Sequence, residues 1–156
     1  MSTSELGRGG LMVLVAEDDE DDRLMLEEAW SENRMANELR FVHDGEELLD
    51  YLRQRGRWSA PGSAPRPGII LLDLNMPRKD GREALAELKA DPALRTIPVV
   101  VLTTSKLEED IVRSYELGVS SFITKPVSFE ALVATVRDLG RYWFQIVRLP
   151  AESERA

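Results

Sequence analysis

Leu11–Asp22 reads LMVLVAEDDEDD, six apolar residues followed without a break by six carboxylates. A continuous apolar run this short suits a strand buried on both faces, as in a parallel sheet. From about Glu20 to Arg34 the pattern turns helical, with Leu26, Ala29 and Trp30 on one stripe. The junction between strand and helix therefore carries all of the negative charge. Only Glu17 and Asp18 stand at the strand's end. Asp19 to Asp22 enter the helix, where first-turn carboxylates are favoured by the macrodipole by roughly 0.3–1 kcal/mol each at low salt. Those four are expected to be helix-start and solubility charges.

The alternation continues outward from this unit. Leu39–Val42 is a second strand. Asp44 and Glu47 have the spacing of a capping box for a helix that turns Leu48, Leu49, Tyr51 and Leu52 inward. Arg55–Gly68, RGRWSAPGSAPRPG, breaks both periods and reads as a loop. Ile69–Leu72 is a third apolar run ending at Asp73, and NMPRKDG a turn. Arg82–Ala90 is a helix with Ala84, Leu85 and Leu88 inward, stopped by Asp91-Pro92. Ile97–Leu102 runs to Thr103. Ser105 and Glu108 open a helix to about Leu117, which Gly118 caps. Val119–Thr124 is a weaker strand, nearer an edge. Ser128 starts a last helix carrying Leu132, Val133, Val136, Leu139, Trp143 and Ile146. Residues 1–10 read as a flexible N-terminus, 11–150 as one domain and 151–156 as a charged tail. Strict strand–helix alternation, five times over, predicts an α/β three-layer sandwich with a parallel sheet.

With 156 residues the chain can bury one proper core. Its 28 acidic against 20 basic residues, net −8, argue against sequence-independent binding to nucleic acid or to an anionic membrane. No run approaches the roughly 18 apolar residues of a membrane span, and the first ten residues lack the apolar core of a signal peptide. Without cysteine there is no disulfide framework, thiolate metal site or thiol nucleophile. A cytoplasmic protein is the simplest reading.

In an open parallel sheet the strands' C-terminal ends share one edge, and ligands bind in the crevice there. Glu17 and Asp18 follow the first strand, Asp73 the third, Thr103 the fourth and Lys125 the fifth. Three carboxylates in one crevice cannot all stay ionised cheaply unless a cation neutralises them. Oxygen ligands without His or Cys favour a hard ion, Mg2+ or Mn2+. An ion with open positions would hold a phosphoryl group against one carboxylate, which would act as nucleophile. Lys125 would neutralise phosphoryl oxygens and the Thr103 hydroxyl would donate to one.

Four segments, VLVAED, LLDLNMP, VLTT and FITKP, in this order on successive β-α units, resemble the receiver domain of bacterial two-component response regulators. The resemblance covers about Met12 to Arg148. It implies a flavodoxin-like (βα)5 fold with strand order 2-1-3-4-5. It makes Asp73 the phosphoacceptor, charged by a sensor histidine kinase. It implies Mg2+ held by the Asp18 and Asp73 carboxylates, the Asn75 backbone carbonyl and water, with Glu17 close by. Thr103 and Lys125 are assigned to the phosphoryl group, and Phe122 to an aromatic switch that turns inward with Thr103. The resemblance also raises the expectation of a cis Lys125–Pro126 bond. The long Arg57–Pro67 loop, LNMPRKDGRE, VVVLTTS and WFQIVRLP are similar to small single-domain regulators paired with phytochromes. Two departures stand out: Glu17 where Asp is usual, and Phe122 where many receivers carry Tyr.

Two other readings compete. A haloacid-dehalogenase-type phosphatase also uses an Asp nucleophile with Thr, Lys and acidic residues, but its nucleophile follows the first strand. A receiver-like binding module would work without phosphate. The lone His43 is expected to cap or flank the second strand. Trp58 either packs the loop or meets a partner. Tyr142, Trp143 and Phe144 point to different sides of a helix that can bury only one stripe. A homodimer through this last helix, with the fourth helix and the fifth strand beside it, is therefore expected. Output would be contact with a downstream protein.

Overall fold

Val13 to Ala16 are wholly buried, as a strand must be when helices cover both faces of its sheet. The computed structural model describes residues 12–74, 76, 81–103 and 121–141, with the backbone alone at Thr103 and Ser121. Strand β1 (Val13–Ala16) is followed by helix α1 (Glu20–Glu32), β2 (Leu39–Val42) and α2 (Gly45–Leu52). Then come β3 (Ile69–Asp73), α3 (Gly81–Ala90), β4 (Val99–Thr103), β5 (Ser121–Thr124) and α4 (Phe129–Leu139). All strand pairs are parallel and the order is β2-β1-β3-β4-β5, as the alternation and the resemblance led one to expect.

The pleat sorts each strand into two cores. Leu14, Ala16, Ile70, Leu72, Val99 and Val101 face Leu48, Tyr51, Ala84, Leu85 and Leu88 of α2 and α3. Val13, Val15, Ile69, Leu71 and Val100 face Leu26, Ala29, Trp30, Val136 and Leu139 of α1 and α4. A Leu→Ala change in such a position costs about 2–5 kcal/mol. The register also levels the strand ends. Ala16 pairs with Leu72 and Asp73 with Leu102, so the residue after β1 lies beside the last residue of β3.

Several element ends differ from expectation for local reasons. Helix α1 stops at Glu32 because Asn33 caps it and Arg34 takes a left-handed φ of 54°. The capping box at α2 is half formed. Asp44 accepts the Glu47 N–H at 2.8 Å, but the Glu47 carboxylate reaches one residue further out, to the His43 N–H at 2.7 Å and His43 Nδ1 at 2.8 Å. His43 thus flanks β2, as expected. The Arg55–Gly68 segment is more ordered than its composition suggests. It carries a 3₁₀ turn, Gly56–Trp58, entered through Gly56 at φ 59°. Trp58 meets Tyr51 edge to face at 4.8 Å and packs against the α2–α3 core, so loop packing is its role here. The Tyr51 hydroxyl donates to the Pro65 carbonyl at 2.8 Å and pins the loop's far end. The helix expected from Ser105, with its Gly118 cap, and the aromatics Tyr142 to Phe144 lie outside the described residues. Among the described residues no helix is long and apolar enough to cross a membrane.

Candidate functional site

The sheet's C-terminal edge is built by short extensions of its strands. The Glu17 N–H donates to the Val42 carbonyl at 3.0 Å, which continues the β1–β2 ladder one residue beyond β1. Glu17 consequently projects beside Asp73, and both are buried, at 3% and 2% exposure. Asp18 is exposed. Asp19 turns away to cap α1, accepting the Asp22 N–H at 3.0 Å. Lys125 follows β5, and its peptide to Pro126 is trans.

These side chains do converge. Lys125 Nζ lies 2.9 Å from Glu17 Oε1, 2.9 Å from Asp73 Oδ2 and 3.1 Å from Asp22 Oδ2. Carboxylate oxygens of Glu17, Asp18 and Asp73 all lie within 4.8 Å of one another. Burial lifts the Glu17 carboxyl, hydrogen bonding to Asp73 and the Asp73 charge lift it further, and Lys125 offsets only part, leaving its pKa at about 7. Burial pulls the Lys125 ammonium down, but hydrogen bonds and charge from Asp73 and Glu17 outweigh it and hold the pKa above its ordinary value. A cation in this crevice is thus favoured, and one ammonium already supplies part of that need. The donor set fits a hard divalent ion: oxygen ligands only, a cluster of the right size, and one exposed side for water.

One expectation needs correcting. Asp22 is not merely a helix-start charge, because its carboxylate reaches Lys125. Spacing alone does not reveal it, because Asp18 precedes the helix and its extended N-cap, Asp19. Gly81 was also missed. Its N–H donates to the Leu74 carbonyl at 3.0 Å. A Cβ there would sit 2.5 Å from the Asp73 carbonyl oxygen and 2.6 Å from Leu74 Cα, so only glycine lets α3 begin against the Asp73 backbone. Thr103 ends β4 opposite Thr124, at the same edge. Phe122 pairs with Val101 on β5 and packs, partly buried, against the α2–α3 core. Asn75 lies outside the described residues.

Residues 13–137 match the family model described as the response regulator receiver domain. The chain belongs to that family. The receiver is 41% identical over 140 residues to response regulator Rcp1 of Synechocystis sp., spanning 90% of this chain and 93% of Rcp1. Its fold is similar to that of the phosphorylated cyanobacterial phytochrome response regulator RcpA, with a TM-score of 0.76 and 43% identity over 86% of this chain and 94% of that one. It is also similar to RPA3017, a response regulator in red light signalling of R. palustris, with a TM-score of 0.78 and 41% identity over 85% and 93% of the two chains. The Mn2+-bound form of Rcp1 matches with a TM-score of 0.75 and 41% identity, over 85% of this chain and 94% of that one. The narrower likeness to phytochrome response regulators therefore holds. Receivers of this family are signalling switches, and membership removes the haloacid-dehalogenase alternative.

Proposed function

We propose that this receiver takes a phosphoryl group on Asp73 from the phosphohistidine of a sensor histidine kinase, of the phytochrome type. The observation that carries the reading is Lys125 Nζ at 2.9 Å from both Asp73 and Glu17, beside three carboxylates within 4.8 Å of one another. In the transfer an Asp73 carboxylate oxygen bonds to phosphorus as the bond from phosphorus to the kinase imidazole nitrogen breaks. The leaving imidazole nitrogen takes a proton. Lys125 holds the charge that moves onto the phosphoryl oxygens.

Asp18, Asp73 and the Asn75 carbonyl, with Glu17 alongside, would hold Mg2+, or Mn2+ as reported for the Rcp1 relative. The ion would neutralise the crowded carboxylates and the phosphoryl oxygens. Thr103, at the same edge, is suited to donate to a phosphoryl oxygen, and Phe122 to move with it. The Tyr142, Trp143 and Phe144 run supports a homodimer through the last helix. The signal would leave by contact with a downstream protein. Replacement of Asp73 by Asn should abolish labelling by acetyl phosphate; persistent stoichiometric labelling of that variant contradicts the assignment.

A further inference from the structure

An ammonium group has three N–H donors and no acceptor. On Lys125 all three are engaged, by Glu17, Asp73 and Asp22. A phosphoryl group arriving on Asp73 therefore finds no free donor. At least one of the three carboxylates must let go, and they are not equivalent. The Asp73 oxygen that becomes the acyl phosphate loses its charge. Glu17 is within the acidic cluster that could hold a divalent ion. Asp22 is outside that cluster, on the first turn of α1, with a side chain 42% exposed. Alone of the three it is neither the acceptor nor a member of that cluster.

Its place is fixed independently of Lys125. The Asp22 backbone N–H is the donor that Asp19 accepts in capping α1, so the cap fixes the backbone from which the Asp22 carboxylate reaches. Lys125, by contrast, hangs on a flexible four-carbon stem. That stem borders a cavity of about 150 Å³ lined by Leu26, Ile123, Leu132 and Val136, with Glu17, Asp22 and Lys125 also on its wall. The cavity leaves the stem room to repack. A charged head cannot settle in apolar surroundings, but without a tether it need not stay over Asp73.

Resting on the acceptor reading above, we infer that Asp22 is a positioning residue. It anchors one N–H of Lys125 while the other two pass from Glu17 and Asp73 to the phosphoryl oxygens. The anchor works by charge at a set distance, so Asn in its place should fail and Glu should partly serve.

The full chain, with Mg2+ saturating, is labelled with acetyl phosphate in wild type, Asp22→Asn and Asp22→Glu. The labelling rate constant should fall about ten-fold in Asp22→Asn and recover to within about three-fold in Asp22→Glu. Calorimetric Mg2+ affinity should change by less than about three-fold in both. An unchanged rate in Asp22→Asn overturns the inference, as does a loss of Mg2+ affinity that matches the loss of rate. A second readout needs no phosphoryl transfer: the ¹⁵N signal of the Lys125 ammonium in the resting protein should shift and broaden in Asp22→Asn. If wild type takes no label, the acceptor reading fails by itself. The Lys125 signal then still decides the anchor, and an unchanged signal overturns it.

Discussion

Glu17 is nearly fully buried beside a second carboxylate, and burial is the main reason its pKa stands at about 7 rather than 4.5. The consequence is a pH dependence of an unusual sign. In metal-free protein between about pH 4.5 and 7, the folded chain holds a proton that the unfolded chain has released. Stability should therefore fall as pH rises through that window, by up to about 1.4 kcal/mol per pH unit from this group, and level off above 7. Denaturant titrations in chelator should show that decline, and Glu17→Gln should lack it. Equal pH profiles for the two proteins would remove Glu17 as its source. At this scale the sequence was partly legible. Glu17, Asp18, Asp73 and Lys125 could be placed because each follows an apolar run, and a run's end is visible in one dimension. Asp22 could not, because its contact depends on how α1 leans over the edge.

At the scale of elements, α3 illustrates what one atom can control. Its first residue, Gly81, lies so close to the Asp73 carbonyl that a methyl group would force the helix start or the end of β3 to move. Gly81→Ala should cost about 1–3 kcal/mol in stability. Because the displaced backbone is that of Asp73, labelling by acetyl phosphate should slow by at least an order of magnitude. A variant destabilised but labelled at the wild-type rate would show that the two backbones move apart without shifting the carboxylate. Strands and helices themselves were readable, since strands buried on both faces must be apolar throughout and helices must show a stripe. Arg55–Gly68 was not. Its order comes from the Tyr51–Trp58 ring contact and from distant side chains that donate to its carbonyls, as the Tyr51 hydroxyl does to that of Pro65, which composition does not encode.

For the whole molecule, strict alternation led to a parallel sheet and the receiver resemblance to its strand order, both as observed, and the level register brings residues from 17 to 125 to one rim. A dimer through the last helix is the remaining large-scale expectation. Sedimentation of the full chain should give a dimer, and Trp143→Asp a monomer. A wild-type monomer at every concentration would mean that the aromatics are covered from within the chain.

Glu17, Asp18 and Asp73 should surround one divalent ion while Lys125 faces the acceptor oxygen. Crystals grown with Mn2+ and beryllofluoride, a mimic of the acyl phosphate, test it by anomalous scattering. The ion should lie about 2.1–2.2 Å from oxygens of Asp18 and Asp73, with beryllium on Asp73 and a fluorine hydrogen-bonded to Lys125. An ion bound elsewhere, or beryllofluoride on another carboxylate, would overturn the assignment of Asp73 as acceptor beside the metal site.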